Sequence, residues 1–210
     1  MTARAPKQEI LDAAFAVLMR DGLPWLSYDA VASAAGTSRQ RVRYHFPDPD
    51  TLMVALCDRM ADAYRTLLTE GAAEVPGPHR LGFFLDFYFG MLEGTPKPRD
   101  DAAYDAAMAL AVRSATVRGT LRAQYGLLAQ VVCHEVRVAH PEIDLPSAEE
   151  IGYAFVALMY GHWKMVASLG LSDEHGRIAR AAMDRLISTY RAGAAPLSPP
   201  VRLFATAKGV

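Results

Sequence analysis

Cysteine occurs only twice in the 210 residues, at Cys57 and Cys133. Two are too few for a disulfide framework, and both fall in apolar helical pattern, where a reduced, buried thiol is the expected state. Long hydrophobic runs are also missing. The longest apolar-looking run, residues 151–163, is well short of the roughly 20 residues that span a bilayer. The opening MTARAPKQEILDAAF has basic residues but no continuous apolar core of signal-peptide type. A cytoplasmic protein without membrane contact is expected. Nucleophile elbows, phosphate-binding glycine loops and paired-cysteine metal sites are absent from the sequence as well. His134-Glu135 opens like the zinc-protease HExxH motif, but Val138 stands where the second histidine is needed, and His140 falls on a different helix face. No catalytic role, metal or cofactor is expected.

Nor is there an excess of charge of either sign: 22 basic side chains face 23 acidic ones. Hydrophobic residues make up 51% and charged residues 21%, which suits a globular chain able to bury a core. Ala, Leu, Met and Arg are abundant, and β-branched residues rarely cluster, a composition that favours helix. Gly22-Leu23-Pro24, Gly36, Pro47 and Pro49, Pro76-Gly77-Pro78, Pro96 and Pro98, Pro141 and Pro146, and Gly170 divide the chain. Between them no period-two alternation is sustained. The pattern predicts an all-α protein of about nine helices.

The first helix is expected over residues 6 or 7–21, with Ile10, Leu11, Ala14, Val17 and Leu18 on its apolar face. Ser27 caps a short second helix over 28–34. Thr37 or Ser38 caps a third over 39–45, after a turn at Gly36. A long fourth helix follows over 49–70. An aromatic-rich fifth covers LGFFLDFYFGML. The sixth and seventh span 104–115 and 117–139. The eighth starts at a capping box of Ser147 and Glu150 and runs to Leu169. A ninth is capped by Ser172. The tail APLSPPVRLFATAKGV carries no helical pattern and reads as extended or disordered.

Residues 37–46, TSRQRVRYHF, stand apart in this balanced chain. They hold Arg39, Arg41 and Arg43 with no acidic residue. A long helix, a short helix, a glycine-containing turn and a second short helix form the helix-turn-helix pattern. Arginine matches the paired acceptors of guanine in the major groove, and glutamine can pair with adenine. Arg39, Gln40 and Arg41, in the first turn of the third helix, are the expected base readers. Arg43, Tyr44 and His45, one turn on, suit phosphates, as do Ser27, Thr37 and Ser38 with the free N–H groups at the helix starts.

Residues 10–56 resemble the N-terminal domain of the tetracycline-repressor (TetR) family of transcriptional regulators. The resemblance is carried by Ile10-Leu11-Asp12-Ala13-Ala14, Asp21-Gly22, Ser27 with Val31-Ala32, Ala35-Gly36 with Ser38, His45-Phe46 and Leu52. It implies a helix-turn-helix DNA-binding domain over 1–48 and a helical effector-binding and dimerisation domain over 49–192. The helix at 49–70 would connect them, with a flexible tail over 193–210. The function implied is that of a homodimeric repressor released from double-stranded operator DNA by a small-molecule effector. A DNA-binding protein without such an effector, acting through a protein partner or architecture, is the alternative. The chain departs from the family where Gln40-Arg41-Val42-Arg43 replaces the usual Gly-Thr-Leu-Tyr. It departs again where Pro49, between Asp48 and Asp50, replaces a lysine. The arginines must then carry more of the affinity, so a guanine-dependent operator and steep salt dependence are expected.

The eighth helix reads as apolar nearly all round. With the resemblance in mind, the stripe of Ile151, Phe155, Leu158 and His162, together with Met183 and Ile187 of the ninth helix, is expected to meet a second copy of the chain. Phe84, Phe87, Tyr88 and Met91, with Met108, Tyr125 and Tyr153, are expected either to line an aromatic effector pocket or simply to pack the core. Aromatic walls suit a quaternary ammonium by cation–π contact, and equally a planar or lipid-like compound.

Overall fold

The computed structural model describes residues 6–94 and 97–205. The break expected at Pro96 and residues 206–210 of the tail lie outside them. Among the described residues there are nine α-helices and no strand: α1 (Pro6–Asp21), α2 (Tyr28–Ala34), α3 (Arg39–His45), α4 (Pro49–Ala72), α5 (Arg80–Tyr88), α6 (Asp101–Ala111), α7 (Ala115–Ala139), α8 (Leu145–Ala167) and α9 (Gly176–Arg191). No helix among them is long and apolar enough to cross a membrane.

The chain forms two compact units, and they do not divide at residue 48. The first holds residues 1–63 and 99–121, the second 64–98 and 122–210, so two of the three boundaries fall inside helices, α4 and α7, and the third in the non-helical segment before α6. In the first unit, Ile10, Leu11, Ala14, Val17 and Leu18 of α1 are buried as their spacing predicts, with Leu52, Met53, Leu56, Cys57 and Met60 of α4. Burial pushes the Cys57 thiol up to about 12, so it stays a protonated, inert core residue. Polar ties hold the early part of α4 and the start of α7 in this unit. Arg59 pairs with Asp12 at 3.0 Å and lies 4.1 Å from the Phe15 ring centroid. Ser114, capping α7, donates to Asp50 at 2.5 Å. The buried face of α6 is Ala103, Ala106, Ala107 and Ala111, and α6 packs on α1.

The second unit is built around aromatics. Leu81, Phe84, Leu85, Phe87 and Tyr88 of α5 are buried, together with Phe89 just beyond it. At about 1.5–3 kcal/mol for each fully buried large apolar side chain, this short helix is held by burial more than by its own length. Tyr88 and Phe89 pack edge-on to Phe155 of α8, and Ala129, Val132, Cys133 and Val136 of α7 and Ala179, Met183 and Ile187 of α9 are buried in the same unit. A side chain at Gly152 would place its Cβ 2.6 Å from the Ala129 carbonyl oxygen, so α8 can cross α7 this closely only with glycine there.

Several element ends differ from the sequence pattern. The fifth helix stops at Tyr88, short of residue 92, because Gly90 turns the chain at φ 71. The sixth starts three residues earlier than expected and ends four earlier, and the seventh starts two earlier. The cap of α8 is Asp144, whose carboxylate accepts from the Ser147 backbone N–H at 2.9 Å, so Ser147 is inside the helix and not its cap. Ser172 caps a single 3-10 turn, Asp173–His175, that leads into α9. The tail up to residue 205 is non-helical as expected, but it has fixed contacts with α8. The Leu197 N–H donates to Glu150 at 2.6 Å, and the Phe204 ring sits 5.7 Å from that of Tyr153.

Candidate nucleic-acid interface

The helix-turn-helix follows from a few local decisions. Ser27 Oγ accepts from the Ala30 N–H at 3.2 Å and starts α2. Gly36 adopts φ 60, which a side chain would strain, and turns the chain before α3. Of the two expected caps for α3 it is Ser38 that serves, accepting from the Arg41 N–H at 3.2 Å. Thr37 is half-buried, and its own N–H closes the turn on the Ala32 carbonyl at 2.9 Å. Each capping oxygen accepts through a lone pair, so both hydroxyl protons remain available to a phosphate.

The orientation of α3 is set by what it buries. Val42 is fully buried, and Phe46 closes the helix end into the core. The Tyr28 hydroxyl, whose pKa burial pushes up, donates to the Phe46 carbonyl at 2.7 Å and ties the end of α3 to the start of α2. With Val42 inward, the 100° step of a helix puts Gln40 and Tyr44 opposite it, with Arg41 and Arg43 on the two flanks. The burial agrees: Tyr44 is 82% exposed, Gln40, Arg41 and Arg43 are exposed, and His45 is half-buried. Tyr44 also packs edge-on to His45, with 5.1 Å between centroids. Arg39 is exposed but not free, pairing with Asp29 of α2 at 3.0 Å. Arg41 and Arg43 have no ion-pair partner among the described residues.

The acidic residues around Pro49 have local partners. Asp48 accepts from both the N–H and the hydroxyl of Thr51, at 2.7 and 2.9 Å, and caps α4; those bonds hold its carboxyl below the usual range. Its charge therefore sits against the positive end of a helix. Asp50 is held by Ser114. Two acids follow α3 in the sequence, and the structure gives each a structural task.

The residues expected to line a pocket separate. Phe87 and Tyr88 are buried edge-on to each other at 5.2 Å, and both contact the Tyr64 ring, at 6.1 and 6.0 Å. Phe84 is buried beside Phe83. Tyr125 is half-buried against Tyr160. Met91 and Tyr153, by contrast, are 42% and 54% exposed, and Met108 belongs to the other unit. Tyr64, Lys97 and Trp163, which join the Phe87–Tyr88 cluster, were not singled out by pattern. They are far apart in sequence and share no periodicity. The stripe expected to meet a second copy is placed as follows. Ile151, Phe155, His162, Met183 and Ile187 are buried within the single chain, and Leu158 keeps only partial exposure. The exposed apolar side chains on these helices are others, among them Tyr153, Met165 and Ile178.

No protein-family model matches the chain, and no curated protein matches it. Solved structures do. A TetR transcription regulator from Haloarcula marismortui superposes with a TM-score of 0.74 at 17% identity, covering 88% of this chain and 97% of that one. A transcriptional regulator from Saccharomonospora viridis in complex with choline gives 0.71 at 18% identity, covering 87% and 95%. The multidrug binding protein EbrR, complexed with imidazole, gives 0.62 at 22% identity, covering 93% and 99%. The chain therefore has the TetR-type fold, a helix-turn-helix followed by a helical body.

Proposed function

We propose that the protein is a sequence-specific DNA-binding transcriptional regulator, acting as a homodimeric repressor that a small-molecule effector releases from its operator. The observation that carries this is α3, which turns Gln40, Arg41, Arg43 and Tyr44 outward around a single buried valine. A structural helix gains nothing from exposing two arginines without ion-pair partners, whereas a major groove offers guanine acceptors and phosphates to both. Arg39, tied to Asp29, would enter the groove already oriented by that pair.

The second copy is proposed to dock on the outer faces of α8 and α9. Ile178, 63% exposed, opens on a groove of about 470 Å³ lined also by Glu174, His175, Arg177, Ala181 and Arg185. The groove holds acid and base together, which a two-fold copy can pair crosswise. One neighbour with this fold is in complex with choline and another with imidazole, which supports an effector site in this protein, and the second unit is where we place it. The coupling is proposed to run through α4, one unbroken helix with residues in both units. An effector that prefers the state with displaced recognition helices would lower operator affinity by its differential affinity and no more.

Selection of bound duplexes from a random pool tests this reading. The expected product is a palindrome with guanine-containing half-sites about 34–36 Å apart, or a multiple of that. Recovery of no enriched sequence would remove the assignment.

A further inference from the structure

Of the three arginines that α3 carries, one is held. Arg39 Nη1 donates to Asp29 Oδ2 of α2 at 3.0 Å. Both side chains are open to water, 61% for the arginine and 68% for the aspartate, and so exposed a pair contributes little to stability. An acid beside a helix proposed to enter the groove also works against binding, because its charge repels phosphates. Neither stability nor raw affinity accounts for the pair. We propose that Asp29 is a positioning residue for DNA recognition: it holds the Arg39 guanidinium ready for one guanine, and it lowers the affinity for every duplex that lacks that guanine. The proposal rests on the DNA-binding reading above and names a residue that sets its selectivity.

Asp29 can serve as an anchor because its own backbone is fixed. It lies in the first turn of α2, where the positive helix end favours a carboxylate, and the Ser27 cap closes that turn on the Ala30 N–H at 3.2 Å. Val31 and Ala32 of α2 and Val42 of α3 are buried, and the Thr37 N–H donates to the Ala32 carbonyl at 2.9 Å. Those contacts fix the start of one helix relative to the start of the other. Arg39 is also the arginine that most needs an anchor. Three helical steps put it about 60° from the buried Val42, whereas Arg41 and Arg43 stand about 100° from it on either side. Its stem leaves α3 nearer the protein than theirs, so where its charge ends depends on what holds it.

The bond to Asp29 leaves the arginine able to read. A guanidinium carries five N–H donors in a planar fork, and the aspartate engages one of them. The remaining donors still include pairs that meet the O6 and N7 acceptors of guanine together. An arginine entering a groove loses rotamer freedom, and a side chain already held loses less. Opposite a base edge that presents a donor, the guanidinium gains no such pair, and Asp29 is left as an acid facing a polyanion. Selectivity is the ratio of specific to non-specific affinity, so a residue that lowers the second while supporting the first raises it.

The experiment uses the full chain, its Asp29→Ala and Arg39→Ala variants, and the double variant Asp29→Ala, Arg39→Ala. Selection of duplexes from a random pool gives the base preferences of each. Fluorescence anisotropy at fixed salt gives their affinities for the wild-type operator and for a scrambled duplex. Arg39→Ala is expected to relax the preference for guanine at one base pair of each half-site. Asp29→Ala should relax it at the same base pair, by about fivefold or more, while binding the scrambled duplex about two- to threefold more tightly at low salt. In the Arg39→Ala background, Asp29→Ala should remove no further preference. Should Asp29→Ala fail to fold, Asp29→Asn, which keeps the size of the side chain and removes its charge, takes its place. An equal loss of affinity for operator and scrambled duplex would make Asp29 a structural residue, and an equal gain would make it a repelling charge alone; either overturns the proposal. So does an unchanged preference in Asp29→Ala, a preference relaxed at a different base pair, or an undiminished effect when Arg39 is already alanine. Every guanine preference surviving Arg39→Ala, in a protein that still selects an operator, sinks this inference and leaves the regulatory reading intact. A wild type that selects no sequence sinks the regulatory reading itself.

Discussion

Helices α3 and α8 are governed by the same force and disclose very different amounts. The shorter one buries one side chain, Val42, and everything it turns outward is polar, charged or aromatic. The longer one buries Ile151, Phe155, Val156, Met159 and Trp163 on one side and still exposes Tyr153 and Met165 on the other. In α3, Arg41 and Arg43 have no ion-pair partner among the described residues, so their chemistry points to a partner. In α8 either face could be core, and only the helices packed against it decide which. An exposed arginine has to be explained; a buried phenylalanine explains itself.

The largest effect that tests this contrast belongs to α3. The double variant Arg41→Ala, Arg43→Ala removes two exposed side chains and is expected to leave the melting temperature unchanged. Operator affinity should fall about 10²–10³-fold, at roughly 1–3 kcal/mol for each good contact, and the salt slope should flatten by about 0.9 for each lost phosphate contact. Fluorescence anisotropy with labelled operator reads both. Unchanged affinity would make α3 a solvated basic helix.

On the side of α8 and α9, two isoleucines of one helix separate inside from outside. Ile187→Glu puts a carboxylate into the buried face and is expected to unfold the second unit. Ile178→Glu, on the exposed face, is expected to leave the helical circular dichroism intact and to convert a dimer to a monomer in sedimentation. A dimer unaffected by Ile178→Glu would move the interface elsewhere.

Two glycines of α8 repeat the test at smaller scale. Gly152→Ala drives a Cβ against the Ala129 backbone oxygen, which cannot yield as a side chain would, and should cost about 1–3 kcal/mol. Gly161 has nothing within 4 Å of its would-be Cβ, so Gly161→Ala should stabilise the helix by about 0.5–1 kcal/mol. Thermal melts of the two variants should therefore move in opposite directions.

How far the sequence discloses the molecule follows the same line. Periodicity, caps and breakers locate α1 to α4 within a residue or two, since each signal is local: Gly22 and Gly36 at positive φ, Ser27 and Ser38 as caps. The outward placement of Gln40, Arg41, Arg43 and Tyr44 is legible for the same reason, and only the Asp29–Arg39 pair needed a tertiary view. Past α4 the signals turn ambiguous. The aromatic run in α5 stays apolar past its true end, so composition could not mark the turn at Gly90. Asp144 and Ser147 are both good caps, and the backbone chose the earlier. The cluster of Tyr64, Lys97 and Trp163 draws on three separate segments, and no spacing rule joins them.

The smallest effects concern Asp48 and Asp144, one cap in each unit. Hydrogen bonds from Thr51 lower the Asp48 pKa, and bonds from Ser147 lower that of Asp144. A carboxyl whose folded pKa lies below its unfolded value of about 3.9 contributes stability above that pH and loses it as pH falls through the folded value. Both contributions should therefore be complete at neutral pH, begin to fall below about pH 4, and be gone only once pH is below the lowered folded values. Asparagine caps helices as well as aspartate but does not titrate there, so Asp48→Asn and Asp144→Asn should each flatten the acid limb of a stability curve without lowering the neutral melting temperature much. Operator binding then separates the two. Asp48 lies three residues beyond α3, so removing its charge should tighten DNA binding slightly at low salt and not at high salt, where the field is screened. Asp144→Asn should leave DNA binding unchanged at any salt. Equal responses of the two variants would mean that the region after α3 does not face the polyanion, and would turn the comparison of α3 with α8 against its own premise.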